Sequence, residues 1–90
     1  MVAKGAENKR KHGVSFEEAQ TVFYEDWGVL IEDERHAEQE ERFVLIGTSA
    51  ALRVLVVSHC YRASDQVIRL ISSRKADRLE RKDYETRWKR

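Results

Sequence analysis

Leu52-Arg53-Val54-Leu55-Val56-Val57-Ser58-His59-Cys60-Tyr61, then Arg62–Gln66, then Val67-Ile68-Arg69-Leu70-Ile71-Ser72-Ser73, is the stretch that decides the fold. Two runs rich in β-branched residues flank a short polar segment, the pattern of an antiparallel hairpin. Val54–Val57 and Ile68–Ile71 are apolar on both faces for part of their length, so both faces of the sheet need cover. Working outward, Arg42–Thr48 reads as a strand joined to Leu52 by a short turn around Ser49–Ala51. Trp27–Glu32, with Val29-Leu30-Ile31 at its centre, reads as another, and the acidic segment Glu32–Glu41 connects the two. Short connections between successive strands imply a meander of about four antiparallel strands.

Helices flank this sheet in the sequence. Ala6–Lys11 predicts a short helix, with Gly13 placed for a left-handed C-cap and Lys11 and His12 in the last turn against the negative dipole end. Ser15-Phe16-Glu17-Glu18 is a capping box, in which the Ser15 hydroxyl accepts from the Glu18 amide and the Glu18 carboxylate reaches back. Phe16, Ala19, Val22 and Phe23 follow at helical spacing, and the helix fades near Tyr24–Asp26. A last helix begins near Asp77, with Glu80 as its capping partner. Its apolar residues are few (Leu79, Tyr84 and Trp88), so it packs lightly or docks onto something outside the chain. The fold class is α+β: two N-terminal helices, an antiparallel sheet of about four strands and a C-terminal helix.

Ninety residues make one domain, 1–90, with a core that buries about 60–65% of the surface of the unfolded chain. The net charge of +1 conceals an uneven distribution. Residues 1–13 have four basic side chains against one acidic, residues 14–73 five against eleven, and residues 74–90 eight against four. Basic ends around an acidic middle suit a polyanion at one surface and a cationic partner at another, or simply solvated helix faces. The single cysteine, Cys60, excludes an internal disulfide and any Cys-based zinc motif, which suits a reducing, cytoplasmic location. Apolar runs are far shorter than the ~20 residues of a membrane span, and the start of the chain lacks the apolar core of a signal peptide.

The chemistry on offer centres on arginine. Arg69 interrupts an apolar strand, so it must reach solvent, a carboxylate such as Glu41, or an anionic ligand. With the turn centred on Ser64, His59 faces Arg69 across the hairpin, with Arg62 in the turn and Arg74 just past the strand end. Guanidinium groups hold phosphate bidentately and cannot lose their charge. Cleavage of RNA then needs a base for the 2′-hydroxyl, cations for the developing charge and a proton for the leaving oxygen. His59, His12, Glu80 and Tyr84 are the proton-transfer candidates. Three of them also have an ordinary structural role open to them: His59 as a half-buried strand residue, His12 as a helix-end histidine, Tyr84 as packing. His12, His36 and His59 lack zinc spacing, and there is no Gly-rich phosphate loop or nucleophile elbow, so no cofactor or metal is expected. The acids of Glu32–Glu41 lack the pattern of a calcium loop and suit a solvated loop or a contact for a basic partner.

Lys11-His12-Gly13-Val14-Ser15-Phe16-Glu17-Glu18-Ala19, Asp33-Glu34-Arg35-His36 and Glu41-Arg42-Phe43-Val44-Leu45-Ile46-Gly47 stand in order along the chain. Ile68-Arg69-Leu70-Ile71-Ser72-Ser73-Arg74-Lys75-Ala76 follows, then Glu80 and Tyr84. This ordered set resembles the BrnT family of bacterial type II toxins, and the likeness spans roughly Lys4 to Glu85. It implies a RelE-like ribonuclease that blocks translation, held by a BrnA-type DNA-binding antitoxin in a toxin–antitoxin tetramer that represses its own operon. Operator DNA would be reached only through the antitoxin. By position it carries over Arg62, Arg69 and Arg74, with Lys11 and His12 nearby in the motif. The chemistry sets His59, Glu80 and Tyr84 beside those arginines as catalytic candidates, and Lys11, His12 and Lys75 along the RNA. Two departures stand out: the short first strand of the family is absent or reduced to Met1–Ala3, and Cys60-Tyr61-Arg62-Ala63-Ser64 replaces a turn that usually carries Gly and acidic residues. The alternative from another class is a catalytically inactive module that binds an antitoxin-like partner and contributes to operon repression.

Overall fold

A computed structural model describes residues 3–33, 41–62 and 67–88, with the side chains of Ala3, Lys4, Asp33 and Trp88 outside the description. Helix α1 (Ala3–His12) and helix α2 (Phe16–Thr21) precede a 3₁₀ turn (Val22–Tyr24). Strands β1 (Val29–Asp33), β2 (Arg42–Thr48), β3 (Val54–Arg62) and β4 (Val67–Lys75) follow, and helix α3 (Arg78–Trp88) closes the chain. The strands form one antiparallel meander in the order β1-β2-β3-β4. The expected α+β layout is present, with the 3₁₀ turn as an added element. Most of the Glu32–Glu41 connection, His36, the turn residues 63–66 and the Met1–Val2 part of the expected strand remnant lie outside the described residues, while Ala3 is helical.

Local chemistry explains where the elements begin and end. Gly13 adopts φ +73°, and its amide donates to the Lys9 carbonyl at 2.8 Å, ending α1 as the sequence predicts. Ser15 Oγ accepts from the Glu18 amide at 3.0 Å. The other half of that capping box is not made: Glu18 turns outward to an ion pair with Arg53 and accepts from Ser49 Oγ at 2.6 Å. A charge-assisted pair with arginine outcompetes a bond to a backbone amide that water can satisfy. The Arg53 hydrogen bond holds the Glu18 carboxyl below its ordinary range. The turn before β3 is longer than expected because Leu52 takes φ 65°, so the strand starts at Val54 rather than Leu52. At α3 the capping box is reciprocal: Glu80 N to Asp77 Oδ1 at 2.8 Å, and Asp77 N to Glu80 Oε1 at 2.9 Å.

The sheet separates two apolar layers. On the α1–α2 side, Val14, Ala19, Val22, Leu45, Leu55 and Val57 pack together, with Phe23 and Leu70 against them. On the α3 side the buried cluster is smaller, Ile46, Val56 and Tyr84, with Val29, Val44, Val54 and Ala76 around it. Helix α3 contributes Tyr84, whereas its Leu79 is 77% exposed. This agrees with the light packing expected from its composition.

Asn8 of α1 secures the outer edge of β4. Its side-chain amide donates to the Ser73 carbonyl at 2.8 Å and its oxygen accepts from the Ser73 amide at 2.9 Å, reproducing a ladder rung. The same Nδ2 donates to the Val14 carbonyl at 2.8 Å. A side chain thus satisfies backbone groups that an edge strand otherwise leaves unpaired.

Candidate phosphate-binding cleft on the sheet

Register determines which side chains share a face. Successive residues of β3 alternate, so Val54, Val56, Ser58, Cys60 and Arg62 belong to the α3 side and Leu55, Val57, His59 and Tyr61 to the other. Arg69 and Arg74 are five apart, and an unbroken strand would turn them to opposite faces. The pairing shifts between Ser58 and His59: Ser58 opposes Ser72, but His59 opposes Leu70. Ile71 is the extra residue of a bulge in β4. The slip places Arg69 opposite Cys60 and Arg74 opposite Val56, both on the α3 side.

This corrects the expected pairing of His59 with Arg69, which assumed an uninterrupted ladder centred on Ser64. His59 lies on the opposite face, fully buried, with Phe23 edge-on at 4.8 Å between ring centroids and Tyr61 at 5.2 Å. Its Nδ1 lies 3.1 Å from the Val57 carbonyl, so that nitrogen carries the proton, and Nε2 accepts from the Tyr61 hydroxyl at 3.2 Å. Burial pushes its pKa below the usual histidine value, partly offset by the bond to Val57. The ring is thus a neutral member of the core.

An open cleft of about 750 Å³ runs across the α3 face of the sheet. Its floor is apolar, with Val44, Ile46, Val56 and Ile71; Ser58 and Ser72 add facing hydroxyl-bearing side chains, and Arg42 and Arg74 line it from either side. Ser58 lies diagonal to both arginines across the strands, about 7–8 Å away by sheet geometry. The first turns of α3 supply Glu80 and Asp83 to the wall. Arg74 meets Glu80 in a two-pronged pair, Nη1–Oε1 and Nη2–Oε2 both 2.8 Å. Each partner stabilises the other's charge, raising the arginine pKa and lowering that of the carboxyl. Glu80 is therefore ionised and aimed into the cleft, and it occupies the fork that phosphate would use.

Among the other expected site residues, Arg69 is half-buried on the cleft face and Arg62 lies exposed at the end of β3 on the same side. Glu41 forms no ion pair with Arg69 among the described residues. Tyr84 is 4% exposed, its hydroxyl bonded to Glu25 and 3.0 Å from Thr48 Oγ1. Burial raises its pKa, and the residue anchors α3 rather than lining the cleft. Lys11 and His12 are exposed at the end of α1, and Lys75 opposes Leu55 on the α1–α2 side; they do not join the cleft. Arg42 did not figure in the sequence-based site. Its signal was a lone cation entering the strand Phe43–Ile46, recognisable only once β2 is known to pair with β3. Among the described residues, no cluster of His, Cys, Asp or Glu is positioned to hold a metal ion, and no helix is long and apolar enough to cross a membrane.

Residues 2–80 match the family described as ribonuclease toxin, BrnT, of type II toxin-antitoxin system. No curated protein matches the chain.

Proposed function

This chain belongs to the BrnT family of ribonuclease toxins of type II toxin-antitoxin systems, and we propose that it is an endoribonuclease whose RNA site is the cleft between the sheet and α3. The observation that carries this is the β4 bulge, which gathers Arg69 and Arg74 onto the face that also bears Arg42 and Arg62. Arginines around an apolar floor suit a nucleotide, with the base over the aliphatic side chains and the phosphate in the guanidinium forks. The 2′-oxygen attacks phosphorus as its proton passes to the Glu80 carboxylate. The bond from phosphorus to the 5′-oxygen breaks, and that oxygen takes a proton from water in the open cleft. Arg69 and Arg74 stabilise the charge that develops on the phosphoryl oxygens, Arg74 turning from Glu80 to do so. The products are a 2′,3′-cyclic phosphate and a 5′-hydroxyl, with no metal in any step.

The family places a protein antitoxin and RNA among the partners. We read the antitoxin as BrnA-type, the assembly as a toxin–antitoxin tetramer that represses its operon through the antitoxin, the fold as RelE-like, with residues 1–90 as one toxin domain, and the location as cytoplasmic. Incubating the purified chain with a long RNA in EDTA tests the chemistry. Cyclic-phosphate ends that disappear with a folded Arg69→Ala variant are expected. Intact RNA together with tight antitoxin binding would replace this reading with the inactive interaction module.

A further inference from the structure

Arg42 lines the cleft in a state that the proposed chemistry leaves unexplained. It begins β2, opposite Cys60 on its inner side, and is half-buried. Its Nε is shielded from solvent and has no hydrogen-bond partner among the described residues. No ion pair joins it to a carboxylate among the described residues, unlike Arg53 with Glu18, Arg74 with Glu80 and Arg87 with Asp83. A buried donor left unpaired is unfavourable, and native proteins keep few of them. In a cleft wall such a group is explained by a ligand that supplies the missing acceptor. The ligand must be anionic, because the guanidinium is always charged. It must also present at least two oxygens to use the planar fork. The Ser58 hydroxyl, diagonal to it on β3, can add a neutral bond to a further oxygen. Arg74, by contrast, already has both prongs on Glu80.

We propose that Arg42 is a phosphate-binding residue, the first guanidinium to receive a backbone phosphate on this face, with Arg74 engaging only after Glu80 releases it. The phosphate's identity as RNA rests on the ribonuclease reading; the site itself does not. In this scheme the incoming strand enters over the β2 end of the cleft, and the arrival of the phosphate at Arg42 precedes the opening of the Arg74–Glu80 pair.

Two measurements test this. In the first, the chain is labelled with ¹⁵N in its arginine side chains and titrated with inorganic phosphate at constant ionic strength. The Arg42 Nε–H resonance, assigned by its absence in Arg42→Lys, is expected to move saturably. That of Arg53, whose Nε is bonded to Glu18 at 2.9 Å, is expected to stay still. An unmoved Arg42 resonance overturns the proposal. In the second, a short 2′-O-methyl RNA, which lacks the attacking hydroxyl, is bound at increasing salt. Arg42→Gln is expected to weaken binding about tenfold and to reduce the salt slope by about 0.7, the value of one single-strand phosphate. Arg42→Lys should retain the slope and only part of the affinity. RNA binding with an unchanged slope in Arg42→Gln overturns the role of Arg42 and leaves the ribonuclease reading intact. A phosphate-responsive Arg42 in a chain that binds no RNA supports the site and overturns RNA as its ligand.

Discussion

Replacing Asn8 by alanine removes three hydrogen bonds at once, two to the Ser73 backbone and one to the Val14 carbonyl, all between buried residues. At a net ~1 kcal/mol for each bond the loss is about 3 kcal/mol, and more where water cannot replace the amide. A domain of this size has a total stability of roughly 5–13 kcal/mol, so the substitution removes a large share of it. With an m-value of ~1 kcal/mol per molar urea, the midpoint should fall by about 3 M. The effect should also be local. Ser73 N–H now points at Asn8 Oδ1 on the outer edge of the sheet, so its hydrogen-exchange protection should collapse in Asn8→Ala while that of Val56, between two strands, falls only in step with global stability. Because β4 carries Arg69 and Arg74, activity should decline where the edge is loosened. A midpoint shift corresponding to under about 1 kcal/mol, or a Ser73 amide as protected as before, would refute the idea that Asn8 acts as a surrogate strand.

Gly47→Ala should destabilise the chain by about 1–3 kcal/mol in urea melts, because a Cβ there would collide with Glu25 Oε2 and come within 2.9 Å of Val22 Cγ1. The same Glu25 oxygen accepts from the Thr48 amide at 2.9 Å, so relieving the clash loses a bond. Stability should depend on pH through His59: its folded pKa lies below the unfolded value near 6.5, so the unfolded chain binds the proton more readily between the two. Its contribution is therefore full above pH 6.5 and is lost as the pH falls towards the folded pKa. Urea melts from pH 7.5 to 5 should show a steeper decline for the wild type than for His59→Phe; parallel curves would contradict a buried neutral imidazole. Glu80→Gln should alter stability by no more than about 1 kcal/mol, since the pair with Arg74 is partly exposed. Freed of its carboxylate, Arg74 should bind uncleavable RNA severalfold more tightly while cleavage slows; weaker binding would show that Glu80 does not compete for that fork.

The sequence by itself carried the elements and most of their limits. Ser15, Gly13 and the Asp77–Glu80 pair mark helix ends because capping depends on residues one to four positions apart. The two-faced apolar runs of β3 and β4 required layers on both sides of the sheet for the same local reason. The match to the family motifs likewise depends on residue order alone, and it was sufficient to point to RNA. Arg69 and Arg74 were legible as candidate phosphate ligands because a charge within or beside an apolar strand needs an explanation wherever it sits.

Which residues meet was decided only in three dimensions. Alternation in a strand is a parity rule, and one inserted residue reverses it for everything beyond. The bulge at Ile71 thereby carried Arg69 away from His59 and onto the face of Arg74, a change that no spacing in the sequence announces. Long-range partners were equally hidden: Glu18 chose Arg53 over its own helix end, and Asn8 found the edge of a strand 65 positions away. Arg42 became visible for the same reason, since a shielded Nε without a partner among the described residues is a property of its surroundings, and those are assembled by the sheet.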